Sequence, residues 1–96
     1  MNNRHKKVVI YSSAFCPFCV GAKRLLDNKC VQYKEISVDC DTGKRQEMIK
    51  RASRFTVPQI WVGDAHVGGY DELCLLDRAG DLDGLLMDAE GTLERE

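Results

Sequence analysis

Two cysteines with two residues between them, Cys16-Pro-Phe-Cys19, are the strongest chemical signal in this chain. Thiols at that spacing can pass between a dithiol and a disulfide, so the chemistry they suggest is thiol–disulfide exchange. Pro17 marks a helix start, because the N–H that proline lacks would be unpaired at the first helical position anyway. The remaining unpaired N–H groups and the positive end of the helix dipole favour negative charge on Cys16. Cys19, one turn on and facing inward, loses solvation without that benefit. The pair is unequal by construction, with one sulfur suited to attack and the other held back.

Two further stretches could shape a site around that pair. Val57-Pro58 sets a proline after a β-branched residue and directly before a strand, a setting for a cis bond and for a gap where another chain can approach. Gly68-Gly69 precedes a helix expected from about Asp71. Glycines there permit close backbone approach, and a helix N-terminus receives carboxylates readily. A metal site is not expected, since Cys30, Cys40 and Cys74 supply no second close pair and His5 and His66 have no ligand spacing.

The elements that must position these residues follow from periodicity and punctuation. Lys7 to Tyr11 reads as a strand and Ser12 to Phe15 as a loop. A helix then opens at Cys16-Pro17, its buried stripe centred on Leu26 with Cys19, Ala22 and Cys30. Val31 to Val38 alternates as a second strand, parallel to the first. Lys44 to Arg54 forms a second helix with Met48, Ile49 and Ala52 inward and a cationic outer face. Thr56-Val-Pro58 breaks the chain before a hairpin, Gln59 to Val62 and Ala65 to Val67, joined by Gly63-Asp64. The last helix is centred on Leu76, with Leu73, Leu75 and Ala79 inward and Cys74 on the far side. Asp81 to Met87 is a short amphipathic piece, and Asp88 to Glu96 an acidic tail. Trp61, Met48 and Met87 are expected to pack.

Composition bounds the rest. The chain has 96 residues, 44% hydrophobic and 30% charged. That is room for one domain, residues 1–96 with a core at about 7–87, and for one small core burying ~60–65% of the unfolded surface. Five cysteines, an odd number, with no secretory signal and no apolar run beyond Val8 to Tyr11, point to a reducing cytoplasm and away from a membrane. The net charge of -1 hides a split: residues 1–54 carry twelve basic and five acidic side chains (+7), residues 55–96 two and ten (-8). The basic half lacks interleaved aromatics and the acidic half would repel a polyanion, so nucleic acid is not an expected partner.

Cys16-Pro-Phe-Cys19, Thr56-Val-Pro58 and Gly68-Gly-Tyr-Asp-Glu72, at these separations, resemble the dithiol glutaredoxins, most closely the small bacterial glutaredoxin 3 type. Lys44-Arg45, Glu47 to Arg51 and Thr56 to Ile60 share the likeness, which runs from about Val8 to Met87. The resemblance implies an α/β thioredoxin fold, a four-stranded mixed sheet flanked by helices in the order β-α-β-α-β-β-α. It also implies no tightly bound cofactor and glutathione as reducing co-substrate. Cys16 would be the attacking and glutathionylated thiol and Cys19 the resolving one. Phe18, Thr56 and Val57 would line the glutathione groove, the Val57 backbone pairing with the tripeptide like an added strand, and Pro58 would be the cis proline facing the thiols. Gly69, Tyr70, Asp71 and Glu72 would hold the γ-glutamyl end.

Two positions depart from that pattern. Phe18 stands where the family usually has Tyr, keeping the ring without its hydroxyl. Ser13 stands where related proteins often have lysine. Arg45 or Gln46 is therefore expected to meet the glycyl carboxylate. Of the other cysteines, Cys30 is expected in the core, Cys40 as a loop thiol and Cys74 as an incidental one. The expected function is glutathione-dependent reduction of protein disulfides through both cysteines and of glutathione mixed disulfides through Cys16, contributing to redox homeostasis. The partners are disulfide-containing or glutathionylated proteins, met by a monomer. The alternative is a carrier of a glutathione-ligated [2Fe–2S] cluster, against which Pro17 and Cys19 argue.

Overall fold

Val8-Val-Ile-Tyr-Ser12 is β-branched and aromatic, and it forms the central strand β1 in a computed structural model that describes residues 5–87. The chain continues through helix α1 (Pro17–Asn28), strand β2 (Tyr33–Ser37), helix α2 (Thr42–Ala52), strands β3 (Gln59–Val62) and β4 (Ala65–Gly68), helix α3 (Tyr70–Ala79) and a short α4 (Leu82–Leu86). The four strands form one mixed sheet in the order β2-β1-β3-β4. β1 and β2 run parallel with Val8 opposite Tyr33, as a strand-helix-strand crossover requires, while β3 is antiparallel to both β1 and β4. The expected acidic tail, 88–96, lies outside the described residues.

Because side chains alternate along a strand, β1 serves two cores. Val8 and Ile10 join Ile60 and Val62 of β3 against Ala22 and Leu26 of α1, Leu73 of α3, and Leu82 and Leu86 of α4. Tyr11 and Trp61 face the other way and pack on Val38, Met48 and Ala52. That second face is smaller and edged with polar groups.

Several expectations fail here for identifiable reasons. Cys30 is exposed, not core. Helix α1 ends at Asn28, and Cys30 takes φ 59 in the left-handed region. Its N–H donates to the Asp27 carbonyl at 2.9 Å, and that of Val31 to Leu26 at 3.0 Å, so the chain reverses and Val31 fills the core instead. This is a Schellman ending with cysteine where glycine is usual, and the missing glycine hid the stop. In α3 the buried face centres on Leu73, not Leu76, which puts Leu75 about 160° away and 59% exposed; Ala79 is exposed too. Ile49 and Met87 are also more exposed than expected.

Candidate functional site

The loop after β1 is held by one carboxylate. Asp39 accepts the Ser13 hydroxyl at 2.7 Å and the Ala14 N–H at 2.8 Å. Those two bonds, the Ser13 bond foremost, and then nearby Arg45 hold the Asp39 carboxyl below its ordinary range. The loop delivers Cys16 to the N-cap of α1, directly before Pro17. There the Cys16 Sγ accepts the Cys19 N–H at 3.3 Å and, as a thiol, lies 3.8 Å from the Val57 carbonyl. Cys16 is partly exposed, whereas Cys19 is fully buried. Burial, and after it the hydrogen bond with Cys16, pushes the Cys19 thiol up to about 12. The two thiols are therefore unequal in burial: Cys16 is partly exposed at the helix N-cap and accepts the Cys19 N–H, and Cys19 is enclosed and keeps its proton.

Opposite the thiols stands the loop Thr56-Val57-Pro58, with a cis Val57–Pro58 bond. Gln59, fully buried at the start of β3, donates from Nε2 to the Thr56 carbonyl at 3.0 Å and contacts the Thr56 hydroxyl at 3.3 Å. Its Oε1 meets His66 Nε2 at 2.8 Å. The His66 ring stacks on Trp61 with centroids 4.6 Å apart, and the Arg51 guanidinium lies 4.4 Å from the centroid of the same indole. Burial first, then neighbouring Arg54, holds His66 below its ordinary value, so the ring is neutral at pH 7 and donates to Gln59. A polar chain from the second core thus shapes the active loop. No motif marks Gln59, but a glutamine opening an otherwise apolar central strand is a signal, since a buried amide must find partners.

Between Phe18 and the start of α3 runs a cleft of about 250 Å³. Thr56, Val57 and Pro58 form one wall; Gly69, Tyr70, Asp71 and Glu72 form the other. Tyr70 lies so close over Gly21 that a Cβ there would sit 2.9 Å from its ring, and its centroid is 6.2 Å from that of Phe18. Gly68 adopts φ 110, and a Cβ would press on Glu72 at 3.0 Å and Arg54 at 3.1 Å. Glu72 turns back on its own helix, its Oε1 accepting the Gly69 N–H at 2.7 Å, while Oε2 lies 3.6 Å from Arg54. The Gly69 bond, and more weakly Arg54, hold the Glu72 carboxyl below its ordinary range.

The expected residues thus converge, with two exceptions and one addition. Arg45 lines a different hollow with Phe15, Cys40 and Asp39, and Gln46 is exposed on α2 outside the cleft. The cation that does line the cleft is Arg54, expected within the second helix but placed just past the end of α2. Its place two residues before Thr56 was the available signal. Among the described residues no cluster of three or more His, Cys, Asp or Glu could hold a metal ion. No described helix is long and apolar enough to cross a membrane.

Comparison with known proteins shows the family and the fold. The Glutaredoxin family model matches residues 8–67. The chain is 52% identical to a glutaredoxin of Pseudomonas aeruginosa over 79 residues, covering 82% of this chain and 94% of the relative. It is 49% identical to glutaredoxin 3 of Escherichia coli strain K12, covering 82% and 95%. Among solved structures, the solution structure of a Brucella melitensis glutaredoxin superposes with a TM-score of 0.76 at 43% identity, covering 85% of this chain and 89% of that one. A buckwheat glutaredoxin–glutathione complex superposes with 0.77 at 27% identity, covering 82% and 74%.

Proposed function

The chain belongs to the glutaredoxin family of thiol–disulfide oxidoreductases, and from that premise we propose that it reduces protein disulfides through Cys16 and Cys19 and glutathione mixed disulfides through Cys16 alone. The observation that carries this reading is the inequality of the pair: Cys16 accessible at the helix N-cap, Cys19 fully buried 3.3 Å behind it through its N–H.

With a protein disulfide, the Cys16 thiolate attacks one sulfur, forming a mixed disulfide and releasing the other sulfur as a thiolate that solvent protonates. Cys19 then loses its proton to solvent and attacks the Cys16 sulfur. The second substrate thiol departs and a Cys16–Cys19 disulfide remains. Two glutathiones reduce it, one after the other, and leave as glutathione disulfide. With a glutathionylated protein, Cys16 takes the glutathione sulfur, frees the protein thiol, and a second glutathione restores Cys16. Because burial keeps the proton on Cys19, the resolving step is expected to quicken as pH rises through the neutral range, read by stopped flow on the preformed mixed disulfide.

Glutathione is proposed to lie in the cleft as a short added strand against the Val57 backbone, Thr56 and Pro58 beneath it and Phe18 and Tyr70 beside it. The free backbone donors at the start of α3 suit the γ-glutamyl carboxylate, and the exposed Asp71 its ammonium. Arg54 is proposed for the glycyl carboxylate, with Arg45 and Gln46 the rival position. Glu72 orients Gly69 and Arg54. The reading includes action as a monomer in a reducing cytoplasm, where it would contribute to redox homeostasis, and the five unpaired thiols support that compartment.

The deciding experiment compares Cys16→Ser and Cys19→Ser on both substrate classes. Cys16→Ser should lose both activities, and Cys19→Ser should keep mixed-disulfide reduction while losing most protein-disulfide reduction. Equal loss of both in Cys19→Ser would overturn the roles. Anaerobic purification with glutathione should yield colourless protein; a visible chromophore would favour the cluster carrier.

A further inference from the structure

At the end of the sheet away from Cys16 lies a hollow of about 590 Å³, more than twice the volume of the cleft. Its floor is the start of the β1–β2 pair, Val8 and Tyr33, and its walls carry Lys6, Lys7, Lys34 and the thiol of Cys30. No acid lines it, and none of the three lysines has an ion-pair partner among the described residues. Two acids act on Tyr33 at its floor, Asp27 foremost and then Glu35, which is paired with Lys23. A concavity lined by three lysines and, among the described residues, by no acid is suited to an anion.

The molecule contains its own comparison for the thiol. Cys30 and Cys40 are both exposed and share a left-handed backbone, φ 59 and 58. Cys40 lies between Asp39 and Asp41 in a hollow with one arginine, so its surroundings are anionic where those of Cys30 are cationic. Two thiols alike in exposure and backbone thus differ in the charge they present to an incoming reagent.

We propose that the Cys30 hollow is a second site for glutathione disulfide, separate from the catalytic cleft, at which Cys30 becomes glutathionylated. The lysines attract the carboxylates of the anionic disulfide. The Cys30 thiolate attacks one of its sulfurs, the Cys30–glutathione bond forms as the S–S bond breaks, and the other glutathione leaves as a thiolate that takes up a proton. Cys30 is oxidised and one half of the reagent reduced, so the exchange balances with glutathione disulfide as the only oxidant. Helix α1, 12 residues and so about 18 Å long, separates Cys30 from Cys16. The adduct is therefore beyond the reach of the active pair of the same chain, and a second molecule must remove it.

The proposal does not rest on the reading of the cleft and is tested with Cys16 and Cys19 replaced by serine, so that the active pair cannot clear adducts. Peptide mass spectrometry follows Cys30 and Cys40 during exposure to glutathione disulfide, to neutral 2-hydroxyethyl disulfide and to cationic cystamine. With glutathione disulfide at low salt, Cys30 should react about five- to tenfold faster than Cys40, and the gap should close at high salt. With cystamine the order should reverse, and with the neutral reagent the two should be similar. Lys6→Gln with Lys34→Gln should slow only the glutathione reaction at Cys30. Equal rates at Cys30 and Cys40 for all three reagents, or a preference for Cys30 that ignores reagent charge, would overturn the proposal even if the lysine variant fails to fold.

Discussion

Cys16 stands between two flanks that each hold an arginine and a carboxylate with a depressed pKa, yet only one of them borders the cleft. On one flank Glu72 spends one oxygen on the Gly69 N–H and meets Arg54 at 3.6 Å with both side chains well exposed. On the other, Asp39 spends both oxygens on the loop that carries Cys16, and Arg45 is its neighbour. The first carboxylate leaves its arginine loosely held, since an exposed pair of that length is worth about 0–1 kcal/mol, and a ligand carboxylate can replace it. The second is part of the scaffold. Equal composition on the two flanks thus conceals unequal placement: one leaves an arginine loosely held at the cleft, and the other fixes the loop that carries Cys16.

The largest effect expected from breaking this contrast is at Gly68. Gly68→Ala would force a side chain into the left-handed region and press on both Glu72 and Arg54. It should cost about 1–3 kcal/mol in denaturant unfolding and raise the KM for glutathione. Next, Arg54→Ala should raise that KM about tenfold, the scale of one charge-assisted hydrogen bond, with a smaller change in kcat. Arg45→Ala and Gln46→Ala should each stay within about twofold on the same criterion. If either matched Arg54→Ala, the glycyl end would belong to the Asp39 flank and the contrast would collapse.

Acid titration sharpens the same comparison. Glu72 and Asp39 both have folded pKa values below their ordinary ones, so the stability each contributes is complete at neutral pH and is lost as pH falls through the depressed value. Glu72→Gln and Asp39→Asn should each flatten the acid limb of a stability–pH curve. Added salt should erode the Glu72 contribution more, because part of it comes from an exposed ion pair while that of Asp39 comes chiefly from neutral donors. Smallest is Cys40→Gly, which should gain a few tenths to about 1 kcal/mol by relieving a left-handed cysteine, opposite in sign to Gly68→Ala. A loss there in thermal melts would mean that the Cys40 side chain supports the Asp39 loop.

Much of the architecture was legible in the chain because its signals are local. Pro17 after Cys16, the short apolar run of β1, the alternation of β2, Gly63-Asp64 between two apolar runs, and proline ahead of β3 each act within a few residues. The burial of Cys19 behind Cys16 was legible for the same reason, since it follows from one helix turn. Where a local signal was atypical the reading failed, as at Cys30, whose left-handed ending lacks its glycine.

Tertiary structure decided what depends on residues distant in sequence. Which stripe of α3 is buried was set by its packing against α1, β4 and α4, and this turned Leu73 inward and Leu75 out. Which arginine borders the cleft was set by the chain reversal at Ser53 after α2, which brings Arg54 to Glu72 across 18 positions of sequence. Gln59 acquired its role only when β3 paired with β4 and brought His66 to its amide. Spacing along a helix or strand determines what chemistry a pair of residues can share. The neighbours that charge, desolvate or align them are chosen by packing, and packing is long-range.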